Sequence, residues 1–199
     1  MDNADGRVCL SIEQAGVEVL HRPSRAVEPS ELESPDVQRL IDLMFATLAG
    51  TGVGLAAPQV GIGLQLVVIA DPAIAQTPND MELFQLQERV AVPPHVLVNP
   101  VVEALDDAPT EFFEGCLSVN GYRAIVPRAR SVRVRALDRR GAAFEREASG
   151  WYARIIQHEV DHLGGRLYLE RMLPRTFMTA AAAMHWSALP IDEIKGRLG

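Results

Sequence analysis

The stretch "SGWYARIIQHEVDHLGG", from Ser149 to Gly165, carries the pattern H-E-x-x-H at His158, Glu159 and His162. Ser149 can open a helix here, and Gly164 and Gly165 can close it. Side chains four residues apart share one helix face, so His158 and His162 present two imidazoles to one ion. Glu159 stands beside that ion, where a carboxylate can accept a proton from an activated water. Ile156, Val160 and Leu163 form a neighbouring apolar stripe, which predicts a helix anchored in the core. Asp161 reads as a solvated residue in preference to a partner for a histidine N–H.

Working outward, the chain is richest in strands. "SVRVRALDRRGAAFEREAS" alternates Val132, Val134 and Ala136 with Arg133 and Arg135, turns at Gly141, and returns through Glu145 and Glu147. That predicts an antiparallel hairpin with one wet face and cross-strand Arg–Glu pairs. The cluster Arg128 to Arg140 is therefore read as salt-bridged, not as a nucleic-acid surface. "LQLVVIA" (Leu64 to Ala70) reads as a strand, and "HVLVNPVVEAL" as a strand pair or bent strand interrupted at Asn99-Pro100. "SPDVQRLIDLMFATLAG" predicts a helix with Ser34 as cap, Pro35 at its first position and Gly50 as stop. Asp71 to Pro94 holds four prolines and reads as mostly irregular. A C-terminal helix is expected over about "TFMTAAAAMHW", followed by a short amphipathic end. The fold class is α+β: a single domain over 1–199, antiparallel sheets packed around the H-E-x-x-H helix, with an N-terminal and a C-terminal helix.

The 199 residues carry a net charge of −7 and a pI near 5.2, which disfavours wrapping a polyanion. No apolar run approaches the roughly 20 residues of a membrane span, so no membrane partner is expected. The acidic start, "MDNADGRVCLSIEQ", has neither the apolar core of a secretory signal nor the arginines of a transit peptide. Two cysteines make no disulfide framework; Cys9 reads as a buried or half-buried thiol and the compartment as reducing.

A catalytic site with two histidine ligands needs a third ligand and an open position. The metzincin extension would place a histidine at position 168, where this chain has Tyr168. No glutamate stands in the alanine-rich segment Ala180 to Ala183, and Glu193 is close to the end. Cys116, within "EGCLSVNGYRAIVPR" (Glu114 to Arg128), is the remaining strong candidate. The stretch by itself also permits a packed thiol or a nucleophile.

Three blocks, "GVGLAAPQ" (Gly52 to Gln59), "EGCLS" (Glu114 to Ser118) and "QHEVDH" (Gln157 to His162), resemble in order and spacing those of peptide deformylases, over about residues 15–180. The resemblance implies a hydrolase that removes the N-formyl group from the initiator methionine of nascent peptides. By position it implies Cys116, His158 and His162 as metal ligands and Glu159 as general base and then acid. It implies Gln59 and the Leu117 N–H as donors to the formyl oxygen. Val53, Gly54, Gly115 and Arg123 are expected on the peptide-binding side. Trp151 can wall the methionine pocket, although an aromatic so near a helix start is more often core. The implied cofactor is one divalent ion, Fe2+ first, with Zn2+, Ni2+ or Co2+ as other ions such donors accept. The ribosome enters as a partner only through its nascent chains. The family commonly has proline where this chain has Asn120. The resemblance is to a subgroup with both organellar and bacterial members, and with no transit peptide read in these residues a bacterial cytoplasm is expected before a mature organellar form. The alternatives weighed are an H-E-x-x-H zinc metallopeptidase and a catalytically weak ribosome-associated homologue.

Overall fold

In the computed structural model, which describes residues 8–187 and 189–198, the metal-motif helix packs against strands of both antiparallel sheets. Residues 1–7, half of the acidic start read above as no leader, lie outside the described residues. The larger sheet has the order β1-β2-β3-β6-β7, formed by β1 (Gly54–Ala56), β2 (Leu66–Asp71), β3 (Val92–Ala104), β6 (Ser131–Leu137) and β7 (Ala143–Ser149). The smaller has the order β4-β5-β8, from β4 (Pro109–Cys116), β5 (Val119–Ala129) and β8 (Met178–Thr179). The helices are α1 (Pro29–Leu32), α2 (Pro35–Leu48), α3 (Pro78–Leu86), α4 (Gly150–Leu163), α5 (Ala180–Trp186) and α6 (Ile191–Leu198).

Strand period explains why β2 is apolar throughout. Leu66 and Val68 turn to one face and pack with Ile41, Met44 and Leu48 of α2. Val67 and Ile69 turn to the other and pack with Ala153, Ile156 and Leu163 of α4. With helices on both faces, every β2 residue from Leu66 to Ile69 is fully buried. Burying one such side chain contributes about 1.5–3 kcal/mol. The predicted hairpin is present, with Arg133 opposite Glu147 and Arg135 opposite Glu145. Both pairs are ion-paired on the wet face, while Val132, Val134 and Ala136 are buried.

"HVLVNPVVEAL" is part of one bent strand. The β3 ladder is irregular between Val98 and Val101, and Asn99 has φ +51°. Its amide locks the bend: Oδ1 accepts from Val27 N at 2.8 Å and Nδ2 donates to Val27 O at 2.9 Å. Two expectations need correction. The stretch from Asp71 to Pro94 is not mostly irregular: Thr77 caps α3, Pro78 takes its first position, and Asp80 completes a capping box. The C-terminal helix starts later than expected, because Phe177 precedes β8 and Thr179 is the cap of α5.

A buried ionic network pins α4 to the smaller sheet. Arg128 on β5 donates through Nε and Nη2 to both oxygens of Glu114 on β4, at 2.6 and 2.9 Å. Arg154 on α4 donates to the same Glu114 at 2.7 Å, and to Val126 O and Thr110 O. Asp161, two turns further along α4, accepts from Arg128 at 2.7 Å and from Nε and Nη2 of Arg171. Burial alone would raise the Glu114 carboxyl, but Arg128 and His158 outweigh it and hold it well below the ordinary carboxylate range. Asp161 is thus neither solvated nor a histidine partner; it is buried between two arginines.

Two outcomes follow for stability. Asn99→Ala loses two hydrogen bonds and leaves alanine at positive φ, and should cost about 2–4 kcal/mol in denaturant unfolding. Arg128→Met leaves two buried carboxylates undercompensated and should cost about 3–5 kcal/mol near neutral pH. A depressed folded-state pKa stabilises above the unfolded value, about 4.3 for glutamate, and that contribution fades as pH falls below it. The gap between wild type and Arg128→Met should therefore narrow on acidification below about pH 4.

Candidate metal centre

Helix α4 supplies two of the three donors because four residues separate His158 from His162. Their rings lie 5.0 Å apart at 81°. The third comes from the end of β4, where the register shift between Gly115 and Cys116 turns the chain. The sulfur of Cys116 and ring nitrogens of His158 and His162 all lie within 4.8 Å of one another. Cys116 Sγ is 3.3 Å from His162 Nε2.

The network that pins α4 also orients a donor. His158 Nδ1 lies 2.9 Å from Glu114 Oε2. An ionised carboxylate only accepts, so the proton belongs on Nδ1 and the Nε2 lone pair is left for an ion. Tyr168, at the position a metzincin histidine would take, stacks on His158 at 6.3 Å and 21°. One soft sulfur and two imidazoles converge here, with Cys116 and His158 lining a cavity of about 430 Å³, and such a set suits a divalent transition metal with an open position.

Glu159 is buried, and its Oε2 has no hydrogen-bond partner among the described residues. Burial pushes its carboxyl up to about 7, with His158 and Arg128 pulling partly back. A carboxyl poised near neutrality can both take and return a proton. Gly54 is what makes room for it: a Cβ there would stand 2.4 Å from Glu159 Oε1.

Gln59 is buried with its amide oriented at both ends. Oε1 accepts from Ala56 N at 2.9 Å, so Nε2 faces Ser118 Oγ at 3.3 Å and Cys116 Sγ at 3.4 Å. Leu117 follows Cys116 on the cavity wall, and its carbonyl accepts from Gln14 Nε2 at 3.0 Å. Gln14 Oε1 in turn accepts from Asn120 N at 3.4 Å, a donor that proline would lack. Glu13 N and Ala15 N donate to Gln59 O and Ser118 O, each at 2.8 Å. A strap at residues 13–15 thus joins the two loops that carry Gln59 and Leu117.

Val53, Gly54, Gly115, Arg123 and Trp151 all border the same cavity. Among the described residues strand β1 pairs with β2 alone, and Gly54 on it borders the cavity. Arg123 is exposed and has no ion-pair partner among the described residues. Trp151 meets Phe112 edge-on at 6.5 Å. Its neighbour Tyr152 points elsewhere and bonds His95 at 2.9 Å. Sequence reasoning missed Arg154 and Arg89. Arg154, one turn before His158, had a helical-spacing signal; Arg89 sits in the stretch read as irregular and had none.

Known proteins resemble this chain in sequence and fold. The family model of polypeptide deformylase matches residues 9–177. Peptide deformylase 1A of Arabidopsis thaliana, chloroplastic/mitochondrial, is 46% identical over 166 residues, 83% of this chain. The chain spans 62% of that relative's length, and 61% of a similar tomato protein's. Peptide deformylase 3 of Streptomyces avermitilis is 43% identical over 192 residues, 96% of this chain and 84% of the relative. A Met-Ala-Ser-bound class I type b peptide deformylase from Acinetobacter baumannii superposes with a TM-score of 0.73 at 35% identity, covering 83% of this chain and 99% of that one. With the match extending from before the strap to beyond the metal-motif helix, the chain belongs to the polypeptide deformylase family.

Proposed function

We propose that this protein hydrolyses the N-formyl group from the formylmethionine that begins new peptides. The observation that carries the reading is the convergence of Cys116, His158 and His162 beside a buried, unpartnered Glu159 carboxylate oxygen. An ion held by those three residues supplies Lewis acidity, lowering the pKa of a nearby water and polarising the formyl oxygen. Glu159 takes a proton from the attacking water and delivers it to the departing amine nitrogen as the C–N bond breaks. Gln59 Nε2 and the Leu117 N–H donate to the formyl oxygen as it gains negative charge. Their positions are set beforehand by Ala56 and by the strap, so little reorganisation is needed at the moment of reaction.

The peptide adds along the open edge of β1, with Val53 and Gly54 on one side and Gly115 and Arg123 on the other. Its methionine side chain enters the part of the cavity bordered by Trp151. The working ion we infer is Fe2+, with Zn2+, Ni2+ and Co2+ able to occupy the same soft donor set. The nascent chain is the partner and the bacterial cytoplasm the setting; the Streptomyces relative, aligned over nearly the whole chain, supports the latter. Among the described residues no helix is long and apolar enough to cross a membrane.

The Fe2+-loaded protein should release formate from formyl-Met-Ala-Ser, and chelation should abolish the release. Absence of formate from a fully metallated protein would sink the proposal. Glu159→Ala should retain metal and lose turnover by at least about 10²-fold. Cys116→Ser should lose metal as well as turnover. Gln59→Ala should lower kcat by about 10²–10³-fold, read from initial rates at saturating peptide. Glu114→Gln should weaken metal binding about 10–100-fold, measured by competition with a fluorescent chelator.

A further inference from the structure

The stretch between β2 and β3 joins the site at the end of the cavity away from the donors. The cavity follows α4 from His158 back through Ile155 and Arg154 to Trp151, seven residues or about 10 Å along the axis. At that end it is bordered by Arg89, the residue that follows α3 and its exit turn. Three contacts hold Arg89 in place. Its Nε and Nη2 each reach an oxygen of the buried Asp71 at 2.8 Å. Its guanidinium lies 4.3 Å from the Phe84 ring and 5.6 Å from the Trp151 ring. Its backbone N–H donates to Phe84 O at 2.8 Å.

The connection itself is fastened to the start of α4. Trp151 N donates to Gln87 O at 2.8 Å, and Arg130 pairs with Glu88. Gly150 has φ +59°, and a Cβ there would strike Glu88 Cβ at 2.6 Å and Gln87 O at 2.7 Å. The close approach therefore depends on glycine at position 150. A helix with no buried residue of its own, α3, is thus part of a connection docked against the site.

We propose that Arg89 is a specificity-determining residue that closes the end of the side-chain pocket and sets the length and charge of the first side chain admitted. This rests on the deformylase reading above, in which that side chain runs along α4 from the reacting carbon. A planar guanidinium held by a carboxylate and two rings makes a firm wall. With Arg154 5.2 Å from Phe112 and 6.0 Å from Trp151, two guanidiniums surround the pocket's end. A long unbranched apolar side chain fits such a pocket, and a basic one is repelled.

The test compares kcat/KM for formyl-X-Ala-Ser peptides with X as methionine, phenylalanine or lysine. Arg89→Ala shortens the wall and should raise the phenylalanine-to-methionine ratio roughly tenfold. Asp71→Asn/Arg89→Met removes both charges together, keeps the length and spares the fold a lone buried carboxylate. It should raise the lysine-to-methionine ratio roughly tenfold while leaving the phenylalanine ratio near wild type. Metal content of each variant, measured alongside, should stay at one ion per chain. Unchanged ratios in both variants, with wild-type metal content, would overturn the role of Arg89. Failure of the wild type to release formate from the methionine peptide would instead overturn the deformylase reading.

Discussion

Everything at the centre of this molecule depends on one carboxylate. Glu114 sits in the apolar interior at the end of β4, where an isolated charge would be costly. It is tolerated because Arg128, Arg154 and His158 converge on it from β5 and α4. The same four groups therefore settle two matters at once. They fix how α4 lies against the smaller sheet, and they fix the tautomer and direction of His158, a candidate metal donor. A hydrophobic pin could have held the helix as firmly, but it would have left His158 free to turn.

The division of labour among donors follows from backbone geometry. Two come from a helix, whose period puts His158 and His162 on one face without further help. The third comes from a strand end, where a ladder irregularity redirects Cys116 out of the sheet. Gln59 comes from the single 3-10 turn Ala57–Val60, and so short an element needs outside support to hold a side chain's aim. Ala56 supplies it from one side and Ser118 from the other. The strap at residues 13–15 ties the Gln59 loop to the Leu117 turn, and the Gln14 amide spans that turn between Leu117 O and Asn120 N.

How much of this was legible in the sequence differed by element, for physical reasons. Helix α2 announces itself through its Ser34 cap and an apolar stripe, and α4 through its stripe and the glycines that close it, since Ser149 stands at its start without a side-chain capping bond. The β6–β7 hairpin does so through alternation, because one of its faces is wet. Helix α3 buries no residue, so it leaves no periodic trace; its signal was the Thr77, Pro78 and Asp80 cap alone. Asp161 was misread because a helix charge looks solvated when its partners, Arg128 and Arg171, lie 33 and 10 residues away in the chain. The motif residues of the site were legible because chemistry restricts their spacing. Arg154 stands one turn before His158 on α4, so its spacing was there to be read, whereas Arg89 was not legible, since no spacing rule links an arginine in a loop to a helix it meets only in the folded chain.

The Cys116 sulfur and His162, 46 residues apart in the chain, illustrate a last point about timing. No local segment contains a working set of donors. In the folded chain Cys116 is brought to the histidines by the β4–β5 pairing and by α4 packed against it, and Asp161 draws on Arg171 as well as Arg128. A donor set spread so widely along the chain is complete only where long-range contacts have formed. An enzyme proposed to act on chains emerging from the ribosome cannot assemble its own centre while it is still a short emerging chain.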